Sequence, residues 1–171
     1  MMVIRSNSER SPVHLKKYKP TCDSGRTGRK QRGIIIPRSW SPIMEREALL
    51  SLARDAARRA HCPYSHFRVG AAVVAGDQVY VGVNIEIASY GLTLCAERSA
   101  MAAAISAGTT PITQVAVTCI DVSENASIGE RTPCGACRQW LADLAPTAII
   151  YIDGIAQDFS VPDLLPHAFS L

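Results

Sequence analysis

Residues 68–85 read RVGAAVVAGDQVYVGVNI, and that stretch decides the fold. Two β-rich runs, Arg68–Ala75 and Gln78–Ile85, lie either side of Gly76-Asp77, a pair that turns one strand straight into the next. The resulting hairpin is antiparallel and needs cover. Upstream, Leu49, Leu50, Ala53, Ala56, Ala57 and Ala60 fall at helical spacing. Ser41-Pro42 offers that helix a cap and a first-turn proline, and Pro63 stops it. Downstream, Cys95–Ala107 has a strong helical pattern that Gly108 is placed to end. Gln114–Ile120 reads as a buried strand, Gly135–Leu144 as a short helix after Pro133, and Ala148–Ile152 as another buried strand. A weak strand over Gln157–Val161 and a short helix near Pro162–Leu165 finish the chain. Late strands joined through helices pair in parallel, whereas the opening hairpin does not. The expectation is an α/β fold: three layers, α-β-α, around a central mixed five-stranded sheet.

Charge divides the chain into two materials. Residues 1–40 hold ten Lys or Arg against Glu9 and Asp23, whereas residues 41–171 hold eight Arg, no Lys and thirteen acidic side chains, a net −5. The first stretch lacks apolar periodicity and is expected to be a disordered basic extension, with residues 41–171 as the folded domain. A targeting segment and a polynucleotide-attracting tail are weighed for that arm; translation from Met44 fits the composition break best. No run of apolar residues is long enough to span a bilayer, and Met1–Pro20 has no central apolar segment of a secretory signal. These features point to a cytoplasmic protein with no membrane and no nucleic-acid partner, the acidic domain being a poor platform for phosphates.

Six cysteines without a secretory segment make a weak case for disulfides, and their spacing points elsewhere. Cys134 and Cys137 are three apart, which puts both sulfurs on one face of a helical turn. Cys95 stands at the start of the other helix, beside Glu97. Three thiolates leave one tetrahedral zinc position open, the arrangement of a catalytic site rather than a closed structural one. Helix N-termini offset the thiolate charge, and Arg98 and Arg138 are placed to donate hydrogen bonds to sulfur. Glu97 converges on the same point and can move a proton between attacking water and substrate. A lone Cys, a Glu two residues on, and a later P-C-x-x-C are the general pattern of zinc deaminases.

With those motifs in view, the sequence resembles the homotetrameric cytidine deaminase family. The matching segments include Pro63-Tyr64-Ser65, Phe67 to Ala72, Gly82-Val83-Asn84-Ile85-Glu86, Ala88 to Thr93, Cys95-Ala96-Glu97-Arg98, Pro133 to Gln139, and Leu164-Leu165-Pro166 ending at Phe169. The resemblance spans about Met44 to Leu171. It implies that Cys95, Cys134 and Cys137 hold one zinc per subunit, with Glu97 as proton shuttle and Arg98 supporting the sulfurs. It implies that Asn84 and Glu86 bind ribose hydroxyls, that Phe67 lies against the pyrimidine, and that the backbone of Ala96 faces the base. Phe169 corresponds to an aromatic that the family contributes to a neighbouring subunit's pocket, in a tetramer with shared sites. The implied reaction is hydrolytic deamination of cytidine and 2′-deoxycytidine to uridine and 2′-deoxyuridine, a hydrolase activity on the C–N bond of a cyclic amidine, in pyrimidine salvage. A blasticidin-type antibiotic nucleoside deaminase is the alternative. Pattern alone leaves Asn84 and Glu86 open, since alternation with Val83, Ile85 and Ile87 also describes a solvent face. One departure is Ile87, where the family carries Asn.

Overall fold

The hairpin forms as expected: β2 (Val69–Ala75) and β3 (Gln78–Val83) pair antiparallel, from Gly70 opposite Val83 to Ala75 opposite Gln78. Gly76 turns the chain at φ +55, the left-handed region where a side chain is disfavoured. The structure is a computed structural model that describes Ile34–Ile35 and residues 43–171. The expected disorder of residues 1–40, apart from Ile34–Ile35, and the Ser41-Pro42 cap lie outside those residues.

Three further elements follow the hairpin in sequence: α2 (Ala96–Ser106), β4 (Ile112–Cys119) and α3 (Gly135–Leu144). The chain then finishes through β5 (Ile149–Ile152), β6 (Asp158–Phe159) and α4 (Val161–Leu164), while α1 (Arg46–Ala57) precedes the hairpin. The five expected strands are all present, and a two-residue strand, β1 (Ile34–Ile35), adds to the outer edge of β3. That short pairing falls inside the stretch read as a disordered arm. The sheet order is β1-β3-β2-β4-β5-β6, antiparallel throughout except for the β4–β5 pair that α3 connects. All of these elements belong to one compact unit, Arg32–Leu171.

Period-two alternation explains the layers. Ala71, Val73 and Ala75 of β2 point to the face covered by α2, α3 and α4, where Met101, Leu141 and Ile150 complete the larger core. Ala72 and Val74 point to the opposite face, against Leu49, Leu50 and Ala53 of α1. Both faces of β2 are therefore buried, which is why its sequence is apolar without interruption.

Helix α1 begins at Arg46 rather than at Ser41. The backbone just before it is committed elsewhere: Met44 donates its N–H to Gln114 Oε1 at 2.7 Å and accepts from Gln114 Nε2 at 2.8 Å. A buried amide that needs both bonds holds the chain there against β4. Two glycines set the depth of the layers. A Cβ on Gly70 would lie 2.1 Å from the Ala53 carbonyl oxygen of α1, and one on Gly82 would lie 2.3 Å from the Ala100 nitrogen of α2. Their missing side chains let one helix on each face sit directly on backbone.

Candidate metal centre and active site

Strands β3 and β4 run in the same direction, and the loops leaving their carboxyl ends feed α2 and α3. Both helices thus start at the same edge of the sheet, the usual place for a site in an open α/β sheet. Cys95 is the residue just before α2 and Cys134 the residue just before α3, each with extended backbone, and Cys137 follows one turn into α3. The three sulfurs cluster: Cys95 to Cys134 is 3.7 Å, Cys134 to Cys137 is 3.6 Å, and all lie within 4.8 Å of one another.

That spacing fits one metal. Zinc–sulfur bonds of about 2.3 Å along tetrahedral directions put sulfurs roughly 3.8 Å apart. The donor set fits as well, being three thiols at helix N-termini, where the backbone dipoles favour anions. The Cys95 and Cys137 thiols differ in acidity. The Cys95 thiol is held down to about 5, first by the hydrogen bond from Cys137 and then, against burial, by Arg98. Cys137 is pushed up as the donor of that same bond.

The two arginines expected near sulfur part company. Arg98 Nη2 reaches Cys95 Sγ at 3.7 Å and the Thr93 carbonyl at 2.9 Å. Arg138 does not approach a sulfur: it donates to the Pro133 carbonyl at 2.7 Å, the Leu164 carbonyl at 2.9 Å and Thr132 Oγ1 at 3.0 Å. Backbone acceptors of the loop before α3 and of the chain end capture it before it can turn to the cluster.

Glu97, one residue into α2, is only 4 % exposed and lines a cavity of about 450 Å³ together with Cys95, Ala96 and Cys134. Burial pushes its carboxyl up to about 7, against a backbone hydrogen bond, with the Cys95 charge adding to the rise. A carboxyl so placed is able to hold or release a proton near neutrality.

Other expected residues meet in the same cavity. Phe67, Asn84 and Glu86 line it. The Asn84 amide is already engaged, accepting from the Val69 N–H at 2.9 Å and donating to the Phe67 carbonyl at 2.8 Å. It therefore holds Phe67 in place and keeps one donor and one acceptor site free for a ligand. Glu86 accepts from the Tyr64 and Ser65 N–H groups at 3.1 Å each, and from the Ser65 hydroxyl. Ser65, hydroxyl first, holds the Glu86 carboxyl below its usual value, so it stays an ionised acceptor. Phe169 is not among the residues lining this cavity, and it is 69 % exposed.

Sequence reading passed over two contributors. Ser65 belongs to the Pro63-Tyr64-Ser65 motif, but nothing in its spacing announces that its hydroxyl helps keep Glu86 ionised. The 120–132 loop brings Glu130, Arg131 and Thr132 to the cavity wall. A signal for its order was available: Ser127-Ile128-Gly129-Glu130 is a capping box, realised by mutual side-chain and backbone bonds at both ends. Cys119 also lines the cavity, but burial pushes its thiol up to about 12, which makes it a neutral wall group.

Comparison with known proteins agrees with this geometry. Residues 44–153 match the cytidine and deoxycytidylate deaminase zinc-binding region. The chain is 42% identical over 132 residues to a cytidine deaminase of Halalkalibacterium halodurans, covering 74% of this chain and 96% of that protein. It is 38% identical over 131 residues to a cytidine deaminase of Mycobacterium tuberculosis, covering 76% and 93%. In structure it resembles the crystal structure of cytidine deaminase from Burkholderia pseudomallei, with a TM-score of 0.65, 41% identity, and 74% and 100% of the two chains covered. A sulfur triad of zinc dimensions, a buried carboxyl beside it and this span of similarity converge: the chain belongs to the zinc-binding cytidine and deoxycytidylate deaminase family.

Proposed function

We propose that this protein hydrolyses cytidine and 2′-deoxycytidine to uridine and 2′-deoxyuridine with release of ammonia, as a step of pyrimidine salvage. The observation that carries the reading is Glu97, buried beside the sulfur triad and facing the cavity that also holds Asn84 and Glu86. Cys95, Cys134 and Cys137 would hold the zinc, which when bound supplies a Lewis acid that makes water nucleophilic near neutral pH.

The rest falls to the chain's own groups. Water oxygen becomes O4 of the product, and its two protons must reach N3 and the departing amine. Glu97 is placed to carry both: its carboxylate takes a proton from the water and gives it to N3, then takes the second and gives it to the amino nitrogen. Glu86 and the free sites on Asn84 accept and donate to ribose hydroxyls, and Phe67, braced by Asn84, packs against the ring. The Ala96 backbone faces the base. Arg98 offsets charge at Cys95. Cytidine is favoured over an antibiotic nucleoside by the names of the relatives above, and polynucleotide is disfavoured by the −5 charge of residues 41–171.

Phe169, exposed and outside the lining of its own cavity, is in keeping with a homotetramer in which each such segment completes a neighbour's site. Among the described residues no helix is long and apolar enough to cross a membrane, and thiol ligands suit a reducing compartment, so we place the protein in the cytoplasm.

The decisive experiment pairs zinc analysis with turnover. Wild-type protein should carry one zinc per chain and deaminate both nucleosides. Glu97→Gln should keep zinc and fold while kcat falls by roughly 10²–10⁴, the size of a lost proton-transfer group. Full activity in Glu97→Gln, or in protein stripped of metal, would overturn the reading.

A further inference from the structure

Gln139 follows Cys137 by two residues on α3, yet its side chain is committed to the far end of the chain. Its Nε2 donates to the Phe169 carbonyl at 2.9 Å, and its Oε1 accepts from the Phe169 N–H at 3.1 Å. One amide thus satisfies both backbone groups of one residue, as a neighbouring strand would. Asp143, one turn along α3, accepts from the same Nε2 at 3.2 and 3.3 Å, which orients the amide for this grip. Arg138 secures the same segment nearer its start, through the Leu164 carbonyl.

The ring tells the opposite story. An exposed segment is ordinarily held by burying a side chain, or else it stays loose. Here the backbone of Phe169 is gripped by a residue thirty positions away in sequence, while Phe169 as a whole stays 69 % exposed. An aromatic ring left in solvent gives its own subunit little of the stabilisation that burial would bring. The use of the grip lies in what the ring meets.

We infer that Gln139 is a positioning residue for the deamination site: its amide fixes the Phe169 backbone so that the ring projects at one angle into a neighbouring subunit's cavity. Gln139 itself touches neither substrate nor metal; it acts through Phe169. The inference rests on the reading that Phe169 completes a neighbour's site. Loosening the tail would leave the proton chemistry at Glu97 intact and weaken substrate binding, a change in KM rather than kcat.

The test uses the full-length, zinc-loaded enzyme and cytidine. Phe169→Ala should raise KM by about tenfold with kcat within about twofold of wild type, and Gln139→Leu should reproduce most of that rise. The double variant should be no worse than Phe169→Ala alone, because Gln139 acts only through the ring that Phe169→Ala has already removed. Zinc content of every variant should equal wild type. Gln139→Met, which keeps volume and helix propensity without either bond, takes the place of Gln139→Leu should that variant fold poorly.

A Phe169→Ala enzyme with unchanged KM would sink the neighbour-site reading itself. Raised KM in Phe169→Ala alongside wild-type KM in Gln139→Leu and Gln139→Met would overturn the role of Gln139 alone. So would a double variant whose KM rise is the product of the single ones, or a Gln139 variant that loses zinc or kcat with KM unchanged.

Discussion

Helices α2 and α3 start alike and serve differently. Each is preceded by a cysteine in extended backbone, and each carries an arginine in its first turn. Arg98 folds back to Thr93 and Cys95, inside the site; Arg138 reaches away to Thr132, Pro133 and Leu164. Helix α2 has Ala96, Glu97, Ala100, Met101 and Ala104 buried, whereas α3 buries only Cys137 and Leu141. The same local pattern yields a helix sealed into the core in one case and a helix that anchors a distant segment in the other. What decides is the surface each lands on: bare backbone at Gly82 under α2, and the chain's own C-terminal segment beside α3.

The glycines at the two helices give the largest expected contrast. A Cβ on Gly82 would fall 2.3 Å from the Ala100 nitrogen and 2.4 Å from the Ala96 oxygen, whereas one on Gly135 at the start of α3 meets nothing within 4 Å. Backbone cannot yield as a flexible side chain does. Gly82→Val should destabilise by about 4 kcal/mol or more, enough to leave little folded, zinc-loaded protein, while Gly135→Ala should stay within about 0.5 kcal/mol of wild type. Urea unfolding of both variants checks this. Equal stability for the two would mean that α2 does not need close contact with β3.

How far the sequence could be read follows the same divide. Where a feature depends on local pattern, the residues declare it: the Gly76-Asp77 turn, the Gly135–Leu144 helix to the residue, and the Cys-x-x-C spacing. Where it depends on which distant group arrives first, they do not. Arg98 and Arg138 look equivalent in sequence, and only tertiary competition sends one to sulfur and the other to carbonyls. The start of α1 is a second case, since Ser41-Pro42 is a sound local cap and the buried amide of Gln114, seventy residues away, holds Met44 in a different state. Asn84 is a third. Its alternation suggested a side chain waiting for ligand or solvent, yet it first ties Phe67 to Val69. Gly82 carries a packing role against α2 that no periodicity reveals.

Exchanging the arginines sharpens the comparison at a smaller scale. Arg98→Met removes the cationic donor to Cys95 and should weaken zinc binding by about 10–100-fold, the usual cost of losing an outer partner of a metal ligand. Arg138→Met should leave zinc affinity near wild type and lower stability by about 1–3 kcal/mol, because three backbone and hydroxyl acceptors lose a charged donor. Competition with a chromogenic chelator measures the first, and thermal unfolding of the loaded protein the second. A large zinc defect in Arg138→Met would show that this arginine also tunes the metal, and the division between Arg98 and Arg138 would fail.

Helix α1, on the opposite face of the sheet, is the control for both, and its effect should be the smallest. Arg54 Nε and Nη2 form a fork on the Asp153 carboxylate at 2.7 and 2.6 Å, and the Thr118 hydroxyl adds a third bond at 2.6 Å. Arg54 first, then Thr118 against the cost of burial, holds the Asp153 carboxyl below its usual value. The folded chain therefore binds this proton less readily than the unfolded chain does. The stabilisation is complete above the unfolded carboxyl value of about 3.9 and disappears as pH falls through the lower folded value. Asp153→Asn should cost about 1 kcal/mol near pH 7 and flatten the acid limb of the stability curve, since only the ionised form gains from Arg54. KM, kcat and zinc content should not move, because neither Arg54 nor Asp153 lines the cavity. An unaltered acid limb in Asp153→Asn would show that the pair contributes nothing through ionisation. A shift in KM would mean that the two faces of the sheet are coupled, and that α1 is part of the site after all.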